Sequence, residues 1–307
     1  MSRILISGAS GLIGLELVSA LKASGNEVVR LVRRPAKARN ERQWDPMREV
    51  PPDIVSGVDA VIHLSGENVA GLWTREKKRR IRESRVVSTG NLSCALTKAP
   101  SPPHTFICAS AIGYYGDRGD ETLTEESTSG TGFLPEVCRE WEAATVLAAK
   151  AGIRVINLRL GIVLSAAGGA LQQMLWPFRL GLGGKIGSGR QWWSWIQIDD
   201  VIGAVEFMLR ENSNVGQRAS SPVRNFSGPV NLVSPNPVTN AEFTRALATM
   251  LRRPAVLTAP RFALKLVLRK FADEGVLASA RVMPKKLIES GFEFRYPEIT
   301  GALRDVL

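Results

Sequence analysis

The segment Gly8-Ala9-Ser10-Gly11-Leu12-Ile13-Gly14 stands between a short β-branched apolar run and a helical pattern of apolar residues. That placement gives it the parts of a phosphate-binding turn. Glycine at 8 permits the tight turn, glycine at 11 lets backbone N–H groups approach a pyrophosphate, and glycine at 14 lets the helix lie close to the strand. The anion would then rest at a helix N-terminus, where unpaired donors and the positive dipole end favour negative charge. Gly8, Ser10, Gly11, Leu12, Ile13 and Gly14 are therefore candidate dinucleotide-binding residues. Nineteen positions beyond Gly14, at the end of the second apolar run, come Arg33 and Arg34. A binder of NAD places a carboxylate there for the ribose 2'-hydroxyl. A guanidinium cannot accept that hydrogen bond but pairs bidentately with a 2'-phosphate, so the expected cofactor is NADP. The plainer alternative is two exposed arginines at a strand end.

These residues need a strand, a turn and a helix to position them, and the pattern supplies that repeatedly. Residues 3 to 9, 27 to 32, 60 to 64, 105 to 109 and 155 to 158 read as strands. Apolar residues recur at helical spacing from Leu12 to Leu21, and helices are expected over about 74 to 97 and 134 to 151. Strands alternating with helices imply right-handed crossovers and a parallel sheet covered on both faces. The predicted fold class is α/β, a doubly wound parallel sheet of Rossmann type with a smaller, mostly helical, substrate-covering C-terminal part. The expected division is 1–165 for cofactor binding, 166–238 for a mixed segment completing the sheet and covering the site, and 239–307 for a helical domain. Within the second of these, glycines from Gly168 to Gly189 punctuate a stretch followed by Trp192, Trp193 and Trp195, two of which are expected in the core. Thr239 or Asn240 is placed to cap a helix, and Asp199-Asp200 to cap the one beginning at Val201.

The chain has 307 residues, 44% of them hydrophobic and 22% charged, which excludes a disordered, collagenous or coiled-coil protein. Its 40 basic and 29 acidic residues give a net charge of +11, gathered at Arg30 to Arg42, Arg75 to Arg85 and Arg245 to Arg304. No zinc-finger spacing, aromatic RNA-binding motif or basic zipper accompanies that charge, so nucleic acid is not an expected partner. The middle cluster, interleaved with Glu76 and Glu83, reads as a solvated helix face. Arg30, Arg154, Arg159 and Arg179 interrupt the apolar regions before the ~18 residues that a spanning helix needs, so no membrane is expected. The direct start into Ile4-Leu5-Ile6 leaves no room for a signal peptide, and a cytoplasmic location is expected. Cys94, Cys108 and Cys138, with only His63 and His104 beside them, support neither a disulfide framework nor a metal site. The oligomeric state stays open.

Beyond the glycine turn, Asp59-Ala60-Val61-Ile62-His63-Leu64-Ser65-Gly66-Glu67-Asn68 and Ala109-Ser110-Ala111-Ile112-Gly113-Tyr114-Tyr115-Gly116 resemble the extended short-chain dehydrogenase/reductases. Gly187-Ser188-Gly189-Arg190-Gln191-Trp192 through Asp199-Asp200, and the tail from Arg253-Pro254 to Tyr296-Pro297, resemble an epimerase-like branch of unassigned function with a C-terminal domain also of unknown function. The resemblance implies a Rossmann domain holding NADP, with Leu64, Ser65 and Gly66 on the adenosine side. It further implies Arg85 directed at the cofactor and Ile162, after Gly161, near the nicotinamide. The implied activity is NADP-dependent redox or epimerase-like chemistry on a small carbonyl or sugar-like compound.

The chain departs from the family's Tyr-x-x-x-Lys, in which the lysine lowers the tyrosine pKa for proton exchange. Cys138 stands for the tyrosine and Glu142 for the lysine, reversing the charge. Ser110 resembles the family's hydroxyl that steadies a substrate carbonyl, and Tyr115 offers a phenol from another direction; these are the two catalytic candidates. The alternative for both is that they shape the loop. Cys138 has no evident base nearby and otherwise reads as a small buried hydrophobe. The rival to an enzyme is a non-catalytic NADP-binding sensor or assembly protein.

Overall fold

Continuous apolar runs suit strands buried on both faces, and such runs, with the short polar edge strand Glu41–Gln43, form one seven-stranded sheet. The computed structural model describes residues 1–210 and 226–307, so residues 211–225 of the expected 166–238 segment lie outside the described residues. The strands are β1 (Arg3–Ser7), β2 (Glu27–Val32), β3 (Glu41–Gln43), β4 (Ala60–His63), β5 (Thr105–Ala111), β6 (Arg154–Leu160) and β7 (Gly228–Leu232). Their order is β7-β6-β5-β4-β1-β2-β3, with every pair parallel. The order reverses at β1, which places a crevice beyond the carboxyl ends of β1 and β4.

Side chains of a strand alternate between faces, and each face has its own core. Ile4, Ile6, Ile62, Ile107 and Ile156 pack with Leu17 and Leu21 of α1 (Leu12–Ala23) and with Val201, Val205 and Met208 of the Ile198–Arg210 helix. Leu5, Val61, Phe106 and Val155 face the other way, onto Leu92, Ala95 and Leu96 of α2 (Arg75–Lys98) and onto Trp141. The basic first half of α2 is solvated as its pattern implies. Thr74 caps it at Lys77 N, and Arg79 pairs with both Glu76 and Glu83. The helix expected over 134 to 151 is divided into α3 (Phe133–Ala143) and a short turn of helix, Val146–Lys150.

A third core joins Leu164, Leu171, Leu175 and Phe178 to Trp193, Trp195, Phe243, Leu247, Ala302 and Leu303. The residues before and after 238 thus share one interior, and strand pairs cross the same boundary, Gly184–Ile186 with Leu257–Ala259 and Thr122–Leu123 with Arg281–Val282. The C-terminal part is helical over Asn240–Leu251, Arg261–Leu268, Lys285–Glu289 and Ile299–Val306. Thr239 caps the first of these in a capping box with Glu242. Two of the three tryptophans are buried, whereas Trp192 is half-buried, donates to Asp120 and lies under the Arg281 guanidinium. Asp199 and Asp200 correct the sequence reading. Both lie within the first helical turn, the cap at Asp199 N is Gln197, and the Asp200 carboxylate instead holds the backbone N–H groups of Arg295 and Tyr296 at 2.7 and 3.0 Å.

His63, wholly buried at the end of β4, ties three elements together. Its Nδ1 lies 2.5 Å from Ser7 Oγ of β1, and its Nε2 lies 3.2 Å from Ser88 Oγ of α2. Burial pulls its pKa down to about 4 from the ordinary 6.5. Because the folded pKa is the lower one, this stabilisation is complete above pH 6.5 and is lost as pH falls toward 4. The loss is expected to reach roughly 3 kcal/mol. Urea denaturation across that window is expected to show a shallower acid decline for His63→Gln than for the wild type; identical slopes would assign the decline to other groups.

Candidate active site

β1 ends at Ser7, and Gly8 turns the chain with φ +73°. A Cβ at Gly8 would stand 2.8 Å from the Leu64 carbonyl carbon and 2.9 Å from Ser65 N, and one at Gly14 would stand 2.8 Å from Ala9 Cα. Neither position has room for a side chain, so the turn is pressed between α1 and the chain leaving β4. Gly11 N donates to Gly8 O at 3.0 Å. No side chain caps α1, and Ser10 and Gly11 are exposed ahead of half-buried Leu12 and Ile13. The first amide groups of α1 are thereby available to an anion. A Cβ at Gly169 would lie 3.0 Å from Leu12 Cδ2, so the glycine-rich segment comes down over the start of α1.

The two arginines after β2 are not equivalent. Arg34 forks onto Glu41 of β3 at 2.7 and 2.8 Å, and Arg30 reaches the same carboxylate at 2.9 Å. The Arg34 hydrogen bonds, with the Lys37 amide, hold the Glu41 carboxyl down at about 2. Arg33 is exposed and forms no ion pair among the described residues. On the other side of the turn, Leu64 and Ser65 are half-buried and Gly66 is exposed. Arg85 has its guanidinium 3.2 Å from where a Gly66 Cβ would be, and 5.1 Å from the Trp141 ring centre. It donates to Ile81 O at 3.1 Å and forms no ion pair with a carboxylate among the described residues. Burial lowers its pKa.

The chemical half lies at the ends of β5 and β6. Ser110, 2% exposed, donates to Glu142 Oε1 at 2.8 Å. Arg159 grips the same carboxylate through Nε and Nη2, both at 2.8 Å, and donates through Nη1 to the Tyr115 hydroxyl at 2.9 Å. Burial opposes the Arg159 charge, but the hydrogen bonds and charge of Glu142 outweigh it and raise its pKa. The Tyr114 ring lies 3.5 Å from the guanidinium carbon. Tyr115 is completely buried, its hydroxyl 2.7 Å from Asn231 Oδ1 and 2.9 Å from Thr124 O, and burial pushes its pKa up to about 12. This phenol is sealed in the network and does not reach open space. Burial likewise pushes the Cys138 thiol up to about 12, against a nucleophilic role.

The Glu142 carboxylate therefore faces a cation that replaces the absent lysine from another element. Sequence reading took Arg159 only as an interruption of an apolar run. The available signal was an arginine between Leu158 and Leu160 in a central strand, a position that demands a buried carboxylate partner. Asn231 and Glu125 were also missed. Glu125 Oε1 accepts from Asn231 N at 3.0 Å and from Lys286 N at 3.3 Å, burial raises its pKa, and its Oε2 has no partner.

Ile162 follows Gly161, where a Cβ would lie 2.7 Å from Ser194 O, and Ile162 N donates to that carbonyl at 2.9 Å. Trp73 on the loop after β4 meets Phe133 of α3 and Phe271 at ring distances of 5.1 and 5.5 Å. Glu274 accepts from Leu134 N at 2.8 Å. The C-terminal part thus closes onto the carboxyl-end face of the sheet. A cavity of about 590 Å³ lined by Ser2, Asn26, Asp59 and His104 lies at the amino-terminal edge instead, away from the ligand crevice of such sheets. Among the described residues, no three His, Cys, Asp or Glu side chains come together as a metal site, and no helix is long and apolar enough to cross a membrane.

Residues 4–220 match the model of the NAD dependent epimerase/dehydratase family, and residues 259–306 match a domain of unknown function, DUF1731. The epimerase family protein Mb2239 of Mycobacterium bovis is 42% identical over 98% of this chain and 96% of its own. The epimerase family protein SDR39U1 of Homo sapiens is 32% identical over 99% of each chain. The crystal structure of human SDR39U1 (isoform2) with NADPH superposes with a TM-score of 0.86, at 31% identity over 99% of this chain and 98% of that one. A UDP-N-acetylglucosamine 4-epimerase from Bacillus cereus shares the fold at 17% identity, with a TM-score of 0.76 over 100% of this chain and 98% of that one.

Arg159→Met and Glu142→Gln are each expected to cost about 3–5 kcal/mol, because each leaves the other group buried without its partner. The double variant is expected to cost less than the sum. Strict additivity in urea denaturation would mean that the pair is not coupled.

Proposed function

Since the chain belongs to the NAD dependent epimerase/dehydratase family, we propose that it is an NADP-dependent oxidoreductase or epimerase-like enzyme acting on a small carbonyl or sugar-like compound. The observation that carries the cofactor assignment is the crowded glycine turn beneath an uncapped helix N-terminus, with an exposed arginine after β2 that has no ion pair among the described residues. Gly8, Ser10, Gly11, Leu12, Ile13 and Gly14 hold the pyrophosphate. Arg33 takes the 2'-phosphate, while Arg34, fixed by Glu41, adds a positive field beside it. Leu64, Ser65 and Gly66 line the adenosine side, Arg85 meets an anionic group of the cofactor, and Ile162 borders the nicotinamide. The NADPH bound in the human relative is consistent with this assignment.

The bound dinucleotide supplies a hydride donor or acceptor. This chain's own residues handle the proton. Ser110 directs its hydrogen at Glu142, leaving Oγ lone pairs for a substrate hydroxyl. A proton leaving that hydroxyl is taken at Ser110 Oγ as the serine proton moves to Glu142 Oε1; the reverse shift delivers a proton to a carbonyl oxygen. Arg159 positions Glu142, and Tyr115 positions Arg159 rather than touching substrate.

A second reading is a non-catalytic NADP-binding sensor. The replacement of the tyrosine and lysine by Cys138 and Glu142, together with the enclosure of Tyr115, favours it. It requires a partner whose affinity changes with NADPH.

Calorimetric titration of cofactor-free protein is expected to show NADPH preferred over NADH. Arg33→Ala is expected to weaken NADPH by about ten-fold or more and to leave NADH unchanged, as loss of a charge-assisted hydrogen bond implies. Failure to bind either dinucleotide would end both readings. In a screen of carbonyl compounds, Ser110→Ala is expected to slow NADPH consumption without weakening NADPH binding; unchanged turnover would remove Ser110 from the mechanism.

A further inference from the structure

Exposed apolar side chains and cations without an ion pair among the described residues gather around the Leu257–Ala259 strand and the helix that follows it. In the Arg261–Leu268 helix no residue is buried, and Phe262 and Leu266, one turn apart, are 76% and 80% exposed. Val267 and Val256 are 68% and 82% exposed. The parallel pairing of Gly184 with Leu257 brings exposed Leu182 beside the start of the same segment. A water-facing surface seldom gathers so many large apolar groups without an occupant.

The charges around them are also unusual. Lys185, Arg245, Arg252 and Arg253 line a cleft of about 600 Å³ that Val256 and Leu257 border. Arg269 and Lys270 follow the helix. None of these six forms an ion pair among the described residues, whereas Arg3, Arg79, Arg82 and Arg118 each hold a carboxylate. On the helix itself Arg261 and Lys265 share the Asp273 carboxylate, so it is the cleft and the residues after the helix that carry positive charge without a carboxylate partner among the described residues.

We propose that this face docks on an anionic phospholipid surface. Phe262, Leu266 and Val256 enter the boundary between headgroups and acyl chains, and the six cations meet the lipid phosphates. Apolar insertion and electrostatic attraction add at such an interface, and neither alone holds a protein firmly. Free phosphate would engage the cleft but leave the apolar helix unused. The contact is peripheral and needs no spanning helix, so it departs from the sequence-based expectation of no membrane without requiring one. Docking also brings the membrane close to the site's cover, because the helix runs on into Phe271 and Glu274, which close onto Trp73 and Leu134.

The test is cosedimentation of the full chain with vesicles of phosphatidylcholine alone and of phosphatidylcholine mixed with phosphatidylglycerol. Binding is expected to the mixed vesicles only and to weaken with salt. Phe262→Asp with Leu266→Asp, at exposed positions, is expected to reduce it about ten-fold at an unchanged melting temperature. Absence of binding to the mixed vesicles would overturn the proposal, as would binding that the double variant leaves intact. A dimer in sedimentation equilibrium that the double variant dissociates, with no vesicle binding by the wild type, would instead assign the face to a second copy of the chain.

Discussion

A guanidinium buried beside the central strands is tolerable only with a carboxylate in bidentate contact, and Arg159 meets that requirement through Glu142. The pair joins β6 to α3. Through the remaining hydrogen bonds it reaches Ser110 at the end of β5, Tyr115 on the following loop, and Asn231 in β7. Ser110 and the Tyr115 hydroxyl are thereby oriented around one charged contact. Its geometry decides which groups can exchange a proton and which are sealed.

The cofactor half obeys a different constraint, that of backbone proximity. Gly8 and Gly14 let β1, α1 and the chain after β4 approach more closely than any Cβ would allow. What results is a concave run of amides at a helix N-terminus, located where the strand order reverses. The two halves meet across β4, where His63 is locked between Ser7 and Ser88.

The C-terminal part is held to this framework from several directions rather than hung from a linker. Ser194 accepts Val282 N and donates to Ala280 O, Asp200 takes two amides from Arg295 and Tyr296, and the tryptophan-rich segment shares a core with the last helix. A C-terminal part held in this way moves only if those contacts open together. Trp73 adds a further contact, meeting Phe133 of α3 and Phe271 of the C-terminal part.

The sequence by itself determined the parallel α/β architecture, because apolar runs alternating with amphipathic ones permit few other arrangements. It also determined the close-packed turn after β1, because glycine at 8, 11 and 14 between strand and helix is a local backbone pattern. The positive charge after β2 was legible for the same reason, but not its division of labour. Arg33 and Arg34 are indistinguishable in sequence, and only the pairing of β2 with β3 brings Glu41 to Arg34 and leaves Arg33 without an ion pair among the described residues. The chemical half was least legible. Glu142 read as a reversed charge until β6 supplied Arg159, seventeen residues away in the chain and 2.8 Å away in space. Tyr115 read as an available phenol until Asn231, on a strand more than a hundred residues later, closed over it. Local pattern fixes backbone shape, whereas the state of a buried ionisable group depends on partners brought from distant strands, and those only the tertiary structure decided.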